Sequence, residues 1–124
     1  MVYLGKDDEL LDILVNQAYL SNAVIYSINV CLRDDVLCME VNFKIQGSKV
    51  KEMKIVFQVV KEYGFNYNSM SFFYNIEMFK LLKCDGFYYI SFDPYEDDLE
   101  RSTMDNDIIL FEHFEAYSTL VKNN

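Results

Sequence analysis

Apolar and polar residues alternate over much of this chain at the two-residue period of a strand with one face covered. From Val24 to Leu32 the even positions are apolar (Val24, Tyr26, Ile28, Val30, Leu32), and Ser27 and Asn29 face the other way. After Asp34-Asp35 the phase switches to Leu37, Met39, Val41, Phe43 and Ile45, separated by Glu40, Asn42 and Lys44. A two-residue Asp-Asp turn, which tolerates positive φ, folds these runs into a hairpin. It opposes Leu32 to Leu37, Val30 to Met39, Ile28 to Val41, Tyr26 to Phe43 and Val24 to Ile45, so every apolar residue meets an apolar partner on one face. Cys31 then lies opposite Cys38 on the other face. Counted from the turn, theirs is a hydrogen-bonded pair, with Cα atoms about 5.5 Å apart rather than about 4.5 Å. That spacing favours two free thiols.

A second hairpin turns on Asp85-Gly86, a strong type I′ signal. Its register sets Leu81 against Ile90 and Phe79 against Phe92, with Lys80 facing Ser91 on the opposite side. Strand is preferred to helix for Ile76 to Lys83 because this register matches. Pro94, which has no N–H for a ladder, should end the returning strand. Tyr95 to Asp107 reads as an acidic loop, Ile108 to Tyr117 as a last strand, and Val121 to Asn124 as a frayed end. Residues Lys49 to Tyr63 satisfy both a strand pattern (Met53, Ile55, Phe57, Val59, Tyr63) and a helical stripe (Val50, Met53, Phe57, Val60). Their Val and Ile content and the preceding Gln46-Gly47-Ser48 turn favour the strand. Gly64 to Ser71, rich in Asn and Ser, reads as a loop.

The period changes only near the start. Leu10, Leu11, Leu14, Val15 and Ala18 recur at helical spacing within Asp7 to Tyr19. Asp7 or Asp8 is the expected cap, and Asp8, Glu9 and Asp12 suit the positive N-terminal end. The expectation is an α+β fold in a single domain, residues 1–124. Its N-terminal helix packs on a curved, mainly antiparallel sheet of about six strands built from hairpins.

Composition supports an ordered domain: 124 residues are 52% hydrophobic, with ten Phe and ten Tyr beside four Gly and one Pro. No apolar run reaches the roughly 18 residues of a membrane span. The first residues lack the basic and apolar regions of a signal peptide. The three cysteines form no CxxC pair, as in a reduced cytoplasmic protein.

Charge is concentrated in one stretch. Of a net −9, most comes from Asp93, Glu96, Asp97, Asp98, Glu100, Asp105, Asp107, Glu112 and Glu115, against Arg101 alone within that span. Such a field attracts and steers cations. It suits a basic protein partner or a metal ion and argues against nucleic acid, which needs Lys and Arg on phosphates. A solvated acidic loop is the plainer reading. The loop misses EF-hand spacing, with no glycine at its sixth position and Met104 at its twelfth. Asp93 with Glu112 or Glu115 makes no recognisable glycosidase pair. His113 is the single histidine and reads as a strand residue with an ordinary hydrogen bond; with no second ligand at zinc spacing, neither a zinc site nor Cys84–His113 catalysis is expected. Gly5, Gly47, Gly64 and Gly86 are isolated, so no phosphate loop exists. Lys49, Lys51 and Lys54 beside Glu52 read as protection of an edge strand. The rings around Asn66 to Ser71 exceed what a surface loop needs, which makes Tyr67, Tyr74 and Tyr95 candidate interface anchors.

The run Phe87-Tyr88-Tyr89-Ile90-Ser91-Phe92-Asp93-Pro94-Tyr95, followed by Asp105-Asn106-Asp107-Ile108-Ile109, resembles a pattern in small bacterial proteins, some of which resemble immunity proteins of polymorphic toxin and contact-dependent inhibition systems. The resemblance covers about a fifth of the chain. It implies a small, acidic, non-enzymatic protein that neutralises a toxin by binding it. The sequence-based expectation is therefore a cytoplasmic inhibitor of a basic, nuclease-like toxin, with no cofactor, metal or membrane partner. Asp93, Glu96, Asp97, Asp98, Glu100, Asp105 and Asp107 would pair with Lys and Arg, and Tyr67, Tyr74 and Tyr95 would anchor the contact. The alternatives are a small cation- or ligand-binding domain using the 93–107 loop, and an acidic anti-defence decoy of nucleic acid.

Overall fold

The computed structural model describes residues 1–47 and 49–120; Ser48 of the expected turn and Val121–Asn124, expected to fray, lie outside the described residues. The fold is α+β: the described residues form one helix, α1 (Asp7–Gln17), and nine strands, β1 (Val2–Lys6), β2 (Val24–Arg33), β3 (Val36–Lys44), β4 (Val50–Gly64), β5 (Tyr67–Asn68), β6 (Ser71–Phe72), β7 (Lys80–Cys84), β8 (Phe87–Asp93) and β9 (Asn106–Leu120). Seven strands form one sheet in the order β2-β3-β4-β9-β8-β7, with β1 added to β9; β5 and β6 make a separate small hairpin. All of the pairings are antiparallel.

Both predicted hairpins form. Asp34 and Asp35 take positive φ (51° and 63°), as do Asp85 and Gly86 (52° and 84°), so both turns have the twist that suits a two-residue connection. From Arg33–Val36 to Ser27–Asn42 the first hairpin keeps the expected register. Beyond that the pairing departs from expectation. A bulge at Tyr26 shifts the ladder, so Phe43 meets Ile25 rather than Tyr26, and Val24 meets Lys44 rather than Ile45. The bulge buries Ile25 and leaves Tyr26 half exposed, its ring under the Lys44 ammonium at 5.4 Å. In the second hairpin Leu81–Ile90 and Lys80–Ser91 pair as expected, but the strand begins only at Lys80, so Ile76–Phe79 lies outside the ladder and Phe79 does not pair with Phe92. The ambiguous segment is a strand, β4, yet it is central, between β3 and β9. Lys51 and Lys54 therefore do not protect an edge; Lys54 lies across the sheet surface near Glu40 (3.9 Å) and over the Tyr117 ring (5.2 Å).

The core is aromatic. Phe57, Tyr88, Phe111 and Phe114 converge from β4, β8 and β9 with ring centroids 4.7 to 6.1 Å apart. Each such side chain contributes roughly 1.5–3 kcal/mol by leaving water. Leu10 and Leu14 of α1 are fully buried in this core, whereas Val15 and Ala18 face solvent, a narrower stripe than the spacing suggests. The expected caps serve other ends. Lys6 stands at the N-cap without a side-chain bond, while Asp7 accepts from the Phe114 N–H (3.1 Å) and bonds His113 Nδ1 (3.1 Å). Asp8 accepts the Tyr88 hydroxyl (2.5 Å) and pairs with Lys83 (2.7 Å), and its carboxyl is held below the ordinary range by those bonds. The helix is thus tied to β7, β8 and β9. Preceding it, β1 was not expected; its pairing with β9 is a contact between chain ends that local pattern does not reveal.

Candidate functional site

Alternation gives the β7–β8 hairpin two faces with different cover. Leu81, Tyr88, Ile90 and Phe92 face the core. Lys80, Leu82, Tyr89 and Ser91 face the other side, where an open sheet would meet water, yet all four are buried. Lys80 and Tyr89 are bonded there by the acidic segment between β8 and β9, and Ser91 by the first residue of β9. Ser91 donates to the Asn106 carbonyl (2.6 Å) and Tyr89 to the Asp105 carboxylate (2.6 Å).

Lys80 is the centre of this arrangement. Its side chain is 3% exposed, and its ammonium reaches Asp98 (2.8 Å), Asp105 (3.3 Å) and the Glu100 carbonyl (2.7 Å). Burial opposes its charge, but the bonds to Asp98 and Asp105 outweigh that and hold its pKa above the ordinary lysine value. Asp105 has no exposed side-chain surface. Besides Tyr89 and Lys80 it accepts the backbone N–H groups of Tyr95 (2.9 Å) and Ser102 (2.9 Å). Burial pushes its carboxyl up, and these donors pull it back below the ordinary carboxylate value. Asp98 is likewise lowered, chiefly by Lys80. Tyr89 is raised, by burial first and then by Asp105. Arg101 closes the loop on its other side, lying over the Tyr89 ring (5.1 Å) and pairing with Glu62 of β4 (2.5 Å).

The expected partner-facing residues therefore separate into groups. Asp93, Tyr95, Glu96, Asp97, Glu100 and Tyr67 are on the surface. Asp98 is partly exposed but already paired with Lys80. Asp105 is enclosed by its own donors, and Asp107, also buried, accepts the Asn66 N–H (2.8 Å), so neither faces solvent. Tyr74 is half-buried against Phe72 and Phe73. The charge pattern of the sequence does not single out Lys80. The available signal was a lysine on the outer face of a hairpin whose own strand leads into nine carboxylates.

Where this loop meets the 66–78 excursion the structure leaves a cleft of about 470 Å³. Phe72, Phe73 and Phe92 supply apolar wall; Glu77, Asp93 and Asp107 supply carboxyls, and among the described residues no Lys, Arg or His lines it. Asp107 is pushed above the ordinary carboxylate value, first by burial and then by neighbouring Asp93. Tyr67, Met70, Phe72 and Tyr95 are exposed large side chains of these same two segments. Such a cleft offers negative charge and aromatic surface together, which suits the head and stem of a cationic side chain.

Among the described residues no group of three or more His, Cys, Asp or Glu side chains is disposed to hold a metal ion. Cys31, Cys38 and Cys84 are unbridged. No helix among the described residues is long and apolar enough to cross a membrane. Comparison with protein-family models, curated proteins and solved structures finds no match for this chain.

Proposed function

We propose that this chain is a non-enzymatic binding protein of the immunity type, which neutralises a basic, nuclease-like toxin in the cytoplasm by docking on its cationic surface. The observation that carries the reading is the cleft beside the acidic loop, with Glu77, Asp93 and Asp107 in its lining and no cationic side chain among them. In the loop that follows Asp93 and Pro94, Glu96, Asp97 and Glu100 are exposed, as are Tyr95 and the 88%-exposed Leu99. A rim of carboxylates accelerates encounter with a basic partner, and the aromatic wall supplies the buried anchor. Asp107 adds to this, since its ionisation is opposed in the free protein and an inserted cation would favour it. Lys80 supports the same reading against a cation-binding loop: an internal ammonium already stands among Asp98, Asp105 and the Glu100 carbonyl.

Affinity capture from the source organism with the tagged protein, at low and moderate salt, tests this directly. The expected result is one stoichiometric basic protein, lost from the Asp93→Asn/Glu96→Gln/Asp97→Asn/Glu100→Gln variant, with an association rate at least tenfold slower and a flatter salt dependence. Equal capture by the variant and the wild type would refute the docking face.

A further inference from the structure

The opposite edge of the sheet has a different character. Strand β2 is the outermost strand. Its first part is closed: Ile25 N–H donates to the Tyr74 carbonyl (2.8 Å), and Val24 bridges Asn75. From Ser27 to Arg33 no described residue bonds the outer edge. The two-residue turn makes Arg33–Val36 a hydrogen-bonded pair, and alternation does the same for Cys31–Cys38 and Asn29–Glu40. The N–H and C=O groups of Ile28, Val30 and Leu32 therefore point outward, with no partner among the described residues. Exposed edges are usually guarded by Lys, Pro or a bulge. This stretch has a single charge, Arg33, at its end. Its side chains are uncovered too: Val30 is 43% and Leu32 68% exposed, on the face whose other members, Met39 and Val41, are fully buried.

We propose that this edge binds a second copy of the same chain, β2 pairing antiparallel with β2 about a twofold axis at Val30. The strand is self-complementary in that register. Val30 faces Val30, Ile28 faces Leu32 of the second copy, and on the other side Asn29 faces Cys31. The outward groups of residues 28, 30 and 32 then satisfy one another in about six hydrogen bonds. A one-residue slip would set Leu32 against Asn29 and aim the donors at no acceptor. An axis at Ile28 would drive the turn into the Tyr74–Asn75 segment that closes the strand's beginning. In the chosen register Leu32 of the second copy arrives beside a depression of about 270 Å³ lined by Ile25, Tyr26, Ser27, Ile28, Phe73 and Tyr74. Charge does not oppose the contact, because the acidic loop lies over β7–β8 at the far edge. Isologous pairing of this kind closes on itself and leaves the cleft free.

Mass measured by light scattering against concentration, with three variants, tests the proposal. One strand pair buries less than a standard interface, so a micromolar dimer is expected, the wild type rising from 14.7 kDa toward twice that mass. Leu32→Lys should stay at the monomer mass with an unchanged far-UV spectrum, as its site is mostly in solvent. Asn29→Cys places the new thiol opposite Cys31 of the second copy, a non-hydrogen-bonded pair about 4.5 Å apart at Cα. Mild oxidation should then link two chains, and Asn29→Cys/Cys31→Ser should not link. A wild type that stays monomeric to about 500 µM, a dimer that survives Leu32→Lys, or linkage that persists without Cys31 would each overturn the proposal.

Discussion

The two edges of the sheet are built from the same kind of hairpin and finished in opposite ways. At the β7–β8 edge the outer face is sealed by a charged loop, and the seal depends on a lysine inside it. At the β2–β3 edge no described residue covers Val30 and Leu32, and the exposed surface is apolar and nearly uncharged. Residues at the sealed edge should govern stability, whereas those at the bare edge should govern association. The acidic segment has a folding role apart from any partner, because one ammonium, one tyrosine hydroxyl and two backbone donors hold Asp105 as the hub of the loop.

Breaking the seal should have the largest effect. Lys80→Met leaves Asp105 enclosed without its counter-charge and should cost about 3–5 kcal/mol in urea unfolding. Tyr89→Phe removes one hydrogen bond to that carboxylate and should cost about 1.5–3 kcal/mol. Protonation attacks the same contacts. Asp98 and Asp105 have folded pKa values below their unfolded ones, so their stabilisation is present above about pH 4 and is lost as pH falls through the lower folded values. Asp107 has the reverse sign. Its raised pKa means that ionisation costs stability above the unfolded value, so Asp107→Asn should raise Tm at pH 7, and the gain should vanish near pH 3. Asparagine tolerates the positive φ of 55° found there and can still accept the Asn66 N–H.

At the bare edge the effects on folding should be small. Leu32→Lys should change the unfolding free energy by less than about 0.5 kcal/mol. Asp35→Gly relieves a left-handed residue at the tip of the first hairpin and should gain about 0.5–1 kcal/mol. A variant at the bare edge that unfolds the protein, or one at the seal that leaves stability untouched, would erase the distinction between the two.

Much of this was legible in the sequence because period-two alternation fixes both face and register once a turn is located. Asp34-Asp35 and Asp85-Gly86 located both turns. The bulge at Tyr26 was not legible, since it answers to the Tyr74–Asn75 segment arriving from elsewhere in the chain. Nor was β1, whose partner lies at the other end of the chain. In the candidate site the carboxylates were visible as a cluster, but not which of them turn inward. Lys80 decides that from a separate hairpin, and Asp105 is enclosed because the loop folds back over Tyr89. The cleft needed the 66–78 excursion to return against Asp93, which local pattern does not encode.

Whether Lys80 is the counter-ion that folds the acidic loop is decided by a double-mutant cycle of Lys80→Met and Asp105→Asn measured by urea unfolding. Asp105→Asn should restore part of what Lys80→Met loses, with a coupling energy of at least about 1.5 kcal/mol. Additive losses, or a Lys80→Met variant as stable as the wild type, would contradict it.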